Sequence, residues 1–311
     1  MSNLKVFWWK LDKGHGNFGD ELNPYIIEKL SKKNVEHVQV NFLKNSVFET
    51  LVSIAKKIKR KKYKLKNFFN YKEWKYISTN SKVIVGIGSV ISVYKYDKTI
   101  VWGAGIIKRD ANIHPADFRA VRGKYTQARM NELGLTPPNV IGDPALLLPL
   151  IYNPKTTKKY KLAIIPHYKH FEKINEANTS KDIKIINLLD SIETIISQIK
   201  SSEITLSTSL HGVIVSHAYN IPSLWIKFNE TQNSIGGDDI KFKDYFSSVN
   251  LSEYEALNGK NFSERSLEDL LEQINSQPKD QLLANQTSIK HIQENLIRVS
   301  PFKVLEEYKN F

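Results

Sequence analysis

At 311 residues the chain exceeds the usual size of one hydrophobic core, so two domains of roughly 100–200 residues each are expected. A hydrophobic share of 41% against 25% charged residues excludes a disordered or fibrous protein, and the absence of cysteine excludes disulfides, thiolate nucleophiles and cysteine-ligated metals. The formal charge of +13 is concentrated: residues 56–66 carry eight Lys or Arg side chains and no acid.

No apolar stretch reaches the roughly 20 residues of a bilayer-crossing helix, and Val6-Phe7-Trp8-Trp9 is too short for a signal peptide. A cytoplasmic protein is therefore expected. In chain order, apolar runs predict strands at Lys5–Trp9, Val35–Val40, Val83–Gly86, Thr99–Trp102, Phe118–Val121 and Asn139–Ile141. Helices are expected over Glu21–Lys32, much of 45–62 and Lys124–Leu133. The second half repeats the scheme, with strands at Lys161–Ile165, Ile183–Ile186, Ile204–Leu206 and Ser223–Ile226 and helices at 190–200 and 209–220.

Alternating strands and helices are the pattern of parallel sheets joined by crossover helices. The fold class is α/β, with two Rossmann-like doubly wound domains facing a cleft and C-terminal helices. The boundaries are residues 1–152, 160–262 and 263–311, with the polar stretch 153–159 as linker. Function belongs in the loops at the carboxyl ends of the strands.

The first such loop, Gly14-His15-Gly16-Asn17-Phe18-Gly19-Asp20-Glu21, precedes a helix whose start offers free N–H groups to an anion. Its glycines satisfy the bare Gly-x-Gly-x-x-Gly pattern, but the acidic ribose ligand of a dinucleotide site is missing at Val38-Gln39-Val40-Asn41. Asp20 is either a substrate contact or a helix cap. Gly86-Ile87-Gly88-Ser89 and Trp102-Gly103-Ala104-Gly105 close two apolar strands, and small residues there either open room for a ligand or form tight turns. Arg122, ending a strand, has the fork to grip a carboxylate or phosphate. In Gly142-Asp143-Pro144, the proline holds Asp143 out of helical geometry.

Thr205 to His217 reads as a strand, a hydroxyl-rich turn with Ser207 and Ser209, and a helix. Ser209 is the expected N-cap, which places Leu210, His211 and Gly212 in the first turn, where the dipole favours a negative ligand. His217 reads as a packing residue. His167, just past the preceding strand, joins the candidate ligands. No cluster of His and carboxylates has metal-ligand spacing, so no metal is expected.

Taken together, Asn17-Phe18-Gly19-Asp20, Arg122-Gly123 with Thr126, Val140-Ile141-Gly142-Asp143-Pro144 and Ser209-Leu210-His211-Gly212 with Pro222 resemble the polysaccharide pyruvyl transferase family. The resemblance implies a GT-B-like domain pair, phosphoenolpyruvate as co-substrate with no further cofactor, and a glycan acceptor that is free or lipid-linked. It also implies that an Arg-Leu-His triplet and an upstream arginine hold phosphoenolpyruvate. Here the triplet begins with Ser209, and Lys241 or Lys243 is the expected compensating charge. His211 and Asp20 are the expected catalytic pair. The expected ligands are Asn17, Gly19, Gly88, Ser89, Gly103, Arg122, Asp143, His167, Ser207, Ser209, Leu210, Gly212 and Lys243.

The competing enzyme reading is a GT-B glycosyltransferase using a nucleotide sugar. A third reading is a non-catalytic binder of nucleic acid or membrane through residues 56–66. Valines, leucines and isoleucines at 47, 51, 54 and 58, with Phe48, give that segment an amphipathic helical spacing. The expected use is therefore peripheral contact with the inner face of the membrane, without nucleic acid.

Overall fold

The computed structural model describes residues 3–10, 16–38, 48, 52, 59, 81–178, 180–228, 238–259, 265–309 and 311. The expected helix over 45–62 and the basic segment 56–66 lie outside the described residues, apart from isolated positions.

Among the described residues, ten strands form two sheets of five, all parallel. The first contains β1 (Leu4–Phe7), β2 (Val35–His37), β3 (Val83–Val85), β4 (Thr99–Trp102) and β5 (Asp117–Ala120) in the order β2-β1-β3-β4-β5. The second contains β6 (Tyr160–Ile165), β7 (Ile183–Ile185), β8 (Ser202–Ser207), β9 (Ser223–Lys227) and β10 (Leu257–Asn258) in the order β10-β9-β8-β6-β7. Counted from its own first strand, each sheet has the doubly wound order 2-1-3-4-5. Each thus has one switch point, β1/β3 or β6/β8, where the crossovers leave in opposite directions and open a crevice.

The helices are α1 (Phe18–Ser31), α2 (Lys124–Glu132), α3 (Leu148–Ile151), α4 (Phe171–Ala177), α5 (Ile192–Lys200), α6 (Leu210–Ala218), α7 (Ile240–Ser248), α8 (Leu267–Asn275), α9 (Lys279–Leu282) and α10 (Gln286–Arg298). Alternation along the strands divides the first sheet's side chains between two cores. Val6, Ile84 and Trp102 join a large apolar cluster that continues into the second sheet through Leu162, Val213 and Trp225. Phe7, Val83, Val85 and Val101 face the opposite way into a smaller one. Burial on both faces is what a parallel sheet requires.

Helix α1 turns Phe18, Leu22, Ile26, Ile27 and Leu30 into the large cluster. Each such side chain contributes about 1.5–3 kcal/mol of transfer free energy. Its Pro24 has no N–H to offer the Asp20 carbonyl, and the Asn23 side-chain amide supplies that bond instead, at 3.2 Å.

Several expectations need correction. Asn139–Ile141 is not a strand; only a single bridge joins Ile141 to Val121. Helices α4 and α7 and the two-residue β10 were not foreseen. Residues 153–159 carry neither helix nor strand. Among the described residues, no helix is long and apolar enough to cross a membrane.

Candidate functional site

At the β1/β3 switch point, Asn17 is the N-cap of α1, its Oδ1 accepting from Gly19 N at 3.0 Å. The same side chain donates from Nδ2 to Asp20 Oδ2 at 2.5 Å, fixing that carboxylate in the first helical turn. Asn23, buried on the next turn, locks the helix to the β3 end. Its Oδ1 accepts from Ile87 N at 2.7 Å and its amide donates to Ile87 O at 3.1 Å.

At the β6/β8 switch point, Ser207 Oγ accepts from Ser209 N at 3.0 Å, shaping the turn into α6. A Cβ on Gly212 would lie 2.2 Å from that hydroxyl, so only glycine lets the helix start this close. Ser209 occupies the N-cap position but makes no side-chain cap bond, contrary to expectation. The N–H groups of the first turn are therefore left for another partner. His167 also reaches this edge, its N–H donating to Thr208 Oγ1 at 2.7 Å. Burial, then the neighbouring His170, Lys241 and Lys169, pushes its imidazole down to about 4.

The two switch points meet at His211. A Cβ on Gly19 would fall 2.0 Å from His211 Nδ1, so the imidazole lies directly on the α1 backbone. The other ring nitrogen, Nε2, faces Asp143 Oδ2 at 3.6 Å, within ion-pair range but too long for a hydrogen bond. Among the described residues neither atom has a hydrogen-bond partner, although Asp143 is fully buried. Asp143 Oδ1 is already committed, accepting from Ala145 N at 2.9 Å as the cap of the 3-10 turn Pro144–Leu147. A buried carboxylate oxygen without a donor is costly, and the facing imidazole offsets this when protonated.

On the α1 side, burial pushes the Asp20 carboxyl up to about 7. The charge on His211 opposes the rise, Glu21 adds to it, and the hydrogen bond from Asn17 opposes it. The folded chain thus holds a proton there that the unfolded chain releases near its ordinary value of 3.8. This carboxyl accordingly subtracts from stability as pH rises from about 4 to about 7, and by a constant amount above that. One histidine between two carboxyl groups, one near neutrality, is an arrangement suited to proton transfer.

Arg122 takes a different role from the one expected. Its guanidinium is wholly buried, and each of its three nitrogens donates to a protein group. Nε donates to Asp244 Oδ2 at 3.0 Å, Nη1 to Ser89 Oγ at 2.7 Å and Nη2 to Ile106 O at 2.6 Å. Asp244, on α7, also accepts from Thr126 N and Oγ1 at 2.8 and 2.7 Å. Arg122, Gly123 and Thr126 together form a clasp that holds α7 of the second half against the first. A Cβ on Gly123 would sit 1.7 Å from Asp244 O, so the clasp admits no side chain there. Ser89 belongs to this clasp rather than to an open pocket.

The glycines closing β4 likewise make room for protein. Gly103, at φ +99°, has Pro144 Cδ 2.2 Å from its notional Cβ, and Gly105 has Arg122 Cζ at 2.5 Å. Gly88, at φ +113°, accepts from Gly105 N at 3.0 Å. Lys243 is not in the site: it pairs with the exposed Glu255 at 2.6 Å. His217, as read from the sequence, is a packing residue, with Nδ1 against Tyr245 Oη at 3.0 Å.

The structure thus brings together Asn17, Gly19, Asp20, Asp143, His211 and the α6 start, places His167 and Ser207 at the same edge, and removes Arg122, Ser89, Gly103 and Lys243. Asn23 and Asp244 were missed. The Asn-Pro pair inside an amphipathic helix was a signal for the first; nothing local marked the second.

The sequence pattern of the polysaccharide pyruvyl transferase family matches residues 17–229. The chain is 27% identical over 246 residues to the uncharacterized protein L143 of Acanthamoeba polyphaga mimivirus, covering 72% of this chain and 81% of that one. It is 22% identical over 242 residues to the succinoglycan biosynthesis protein ExoV of Rhizobium meliloti (strain 1021), covering 76% of this chain and 63% of that one. No solved structure matches the chain. The matched segment covers more than half of the chain and includes every residue gathered around His211, and on that ground the chain belongs to the polysaccharide pyruvyl transferase family.

Proposed function

We propose that the protein moves the enolpyruvate-derived group of phosphoenolpyruvate onto a sugar of a cell-surface polysaccharide or its lipid-linked precursor, forming a pyruvate ketal and releasing phosphate. The observation that carries this reading is the position of His211 at the uncapped start of α6, between Asp20 and Asp143. The name of the ExoV relative, a succinoglycan biosynthesis protein, supports a polysaccharide acceptor.

In this reaction a proton adds to the methylene carbon of the enolpyruvate group and one sugar hydroxyl attacks the adjacent carbon, losing its own proton. The carbon–oxygen bond to phosphate then breaks, and a second hydroxyl closes the ketal. Overall, phosphoenolpyruvate and a diol give the cyclic ketal and phosphate. His211 acts as the acid or as a phosphate ligand, its charged form steadied by Asp143. Asp20 takes the hydroxyl proton or anchors the acceptor. The amides of the first turn of α6 receive the anion.

His211→Ala is expected to lower phosphate release from phosphoenolpyruvate by about 10²–10⁴-fold, the usual span for a positioned acid–base group. The assay is a panel of acceptor glycosides, in which release with one glycoside alone also identifies the acceptor. Near-normal turnover in the folded variant removes His211 from the chemistry. Protection of the chain by nucleotide sugars, with none by phosphoenolpyruvate, favours glycosyl transfer instead.

If Asp20 is the base, it acts ionised, so kcat/KM rises with pH through an inflection near 7 rather than near 4. A profile flat between about pH 5 and 8 removes Asp20 from that role.

A further inference from the structure

Among the described residues, the large apolar side chains left exposed are Trp9, Phe48, Leu189 and Phe311. Two of them flank one short turn, residues 16–18, that leads into α1. Trp9 O lies 3.0 Å from a notional Cβ on Gly16, and Leu188 O, next to Leu189, accepts from Phe18 N at 3.0 Å. Between those two contacts stands Asn17, which holds the Asp20 carboxylate. Trp9 itself follows the carboxyl end of β1, the strand that borders the β1/β3 crevice.

Apolar side chains scattered singly over a surface need no explanation. Trp9 differs in being mounted firmly at a crevice. Its indole is 51% exposed, and the Phe7 ring meets it edge-on, with centroids 5.5 Å apart. The preceding residue is pinned: Trp8 O pairs with His37 Nε2 at 3.0 Å, and the Trp8 ring packs between the His37 ring and the Lys10 ammonium, at 4.4 and 4.9 Å. An open indole face on a fixed backbone matches the apolar C–H face of a pyranose, and little ordering is needed when one binds.

The start of α1 favours a neutral occupant. Its first four N–H groups are all taken: Phe18 donates to Leu188 O, Gly19 to Asn17 Oδ1, and Asp20 and Glu21 to Asn17 O, at 3.0–3.1 Å. The expectation of free amides for an anion at this loop is therefore overturned. Two acids, Asp20 and Glu21, occupy the same turn. A phosphorylated ligand meets closed amides and carboxyl groups there, whereas a sugar brings hydroxyls for Asp20 and an apolar ring face for Trp9.

We infer that the Trp9 indole is the platform on which the acceptor's pyranose ring stacks, at the mouth of the β1/β3 crevice. This rests on the proposed pyruvyl transfer only for what happens to the sugar afterwards; the stacking itself does not.

The experiment titrates the full chain with methyl β-D-glucopyranoside, methyl β-D-galactopyranoside and methyl α-D-mannopyranoside, followed by saturation-transfer NMR. Wild type is compared with Trp9→Ala, Trp9→Phe and the exposed-aromatic control Phe311→Ala, each checked by its thermal melt. Loss of one stacking contact predicts about tenfold weaker binding by Trp9→Ala of the glycosides that wild type binds. Trp9→Phe, which keeps a ring face, is expected to stay within about threefold, and Phe311→Ala to be unchanged. If Trp9→Ala loses the fold, Trp9→Leu, which keeps an apolar contact for Phe7, is measured in its place. In turnover, Trp9→Ala should raise KM for the acceptor glycoside and leave KM for phosphoenolpyruvate within about twofold.

Equal glycoside affinity in wild type and Trp9→Ala, or binding of none of the three glycosides by wild type, overturns the assignment. Trp9-dependent glycoside binding in a chain that turns over no phosphoenolpyruvate upholds the platform and sinks the pyruvyl transfer reading. Turnover with an acceptor KM indifferent to Trp9→Ala does the reverse.

Discussion

Replacing Arg122 by methionine, or Asp244 by leucine, is expected to destabilise the fold by about 3–5 kcal/mol, the range for removing one partner of a buried ion pair. Both side chains are at 0% exposure. The loss comes less from the missing attraction than from the group left behind. Without Arg122, the Asp244 carboxylate retains only the Thr126 donors. Without Asp244, a buried guanidinium holds only Ser89 and Ile106. The double variant Arg122→Met with Asp244→Leu removes both charges and is expected to regain most of the loss. Urea unfolding of the four proteins, followed by far-ultraviolet circular dichroism, makes the comparison. Single variants within about 0.5 kcal/mol of wild type would show that the clasp does not hold the halves together.

Gly19→Ala is expected to act on the site rather than on the fold. The new methyl would lie 2.0 Å from His211 Nδ1 and 2.6 Å from Cγ. The imidazole, 13% exposed and backed by Asp143 at 3.6 Å, must then shift by about 1 Å, a displacement that can cost about 100-fold in rate. Turnover of phosphoenolpyruvate should fall by that order, while the urea midpoint moves less than in the Arg122 variants. A folded Gly19→Ala protein with wild-type turnover would show that the contact between α1 and His211 is incidental.

Most strands were legible because parallel strands buried on both faces read as short apolar runs, as in Val83-Ile84-Val85 and Leu162-Ala163-Ile164-Ile165. Helix α7 was not. Its buried Ile240, Phe242, Tyr245 and Phe246 are interleaved with Lys241, Lys243 and Asp244, and an acid inside such a run reads as solvent-facing until its partner is known. The same limit governed Arg122, whose residue type suggested anion binding while its partner lay far along the chain. The site residues on turns, Asn17, Asp20, Asp143 and His211, were legible because caps and helix starts have local signatures. Their convergence was not: that Gly19 must be glycine for the sake of His211 follows from tertiary contact alone.

The 3-10 turn that carries Asp143 is backed by α10, from a part of the chain beyond the family-matched residues. Gln293 donates to Leu146 O at 2.7 Å, Trp102 Nε1 donates to Leu296 O at 3.0 Å, and Ile292 lies against Gly142, 2.3 Å from its notional Cβ. The family segment is therefore not a portable unit. A chimera that grafted residues 17–229 alone onto another scaffold would bring Asp143 without the wall that aims it at His211, and a workable exchange between relatives has to take residues 286–298 along.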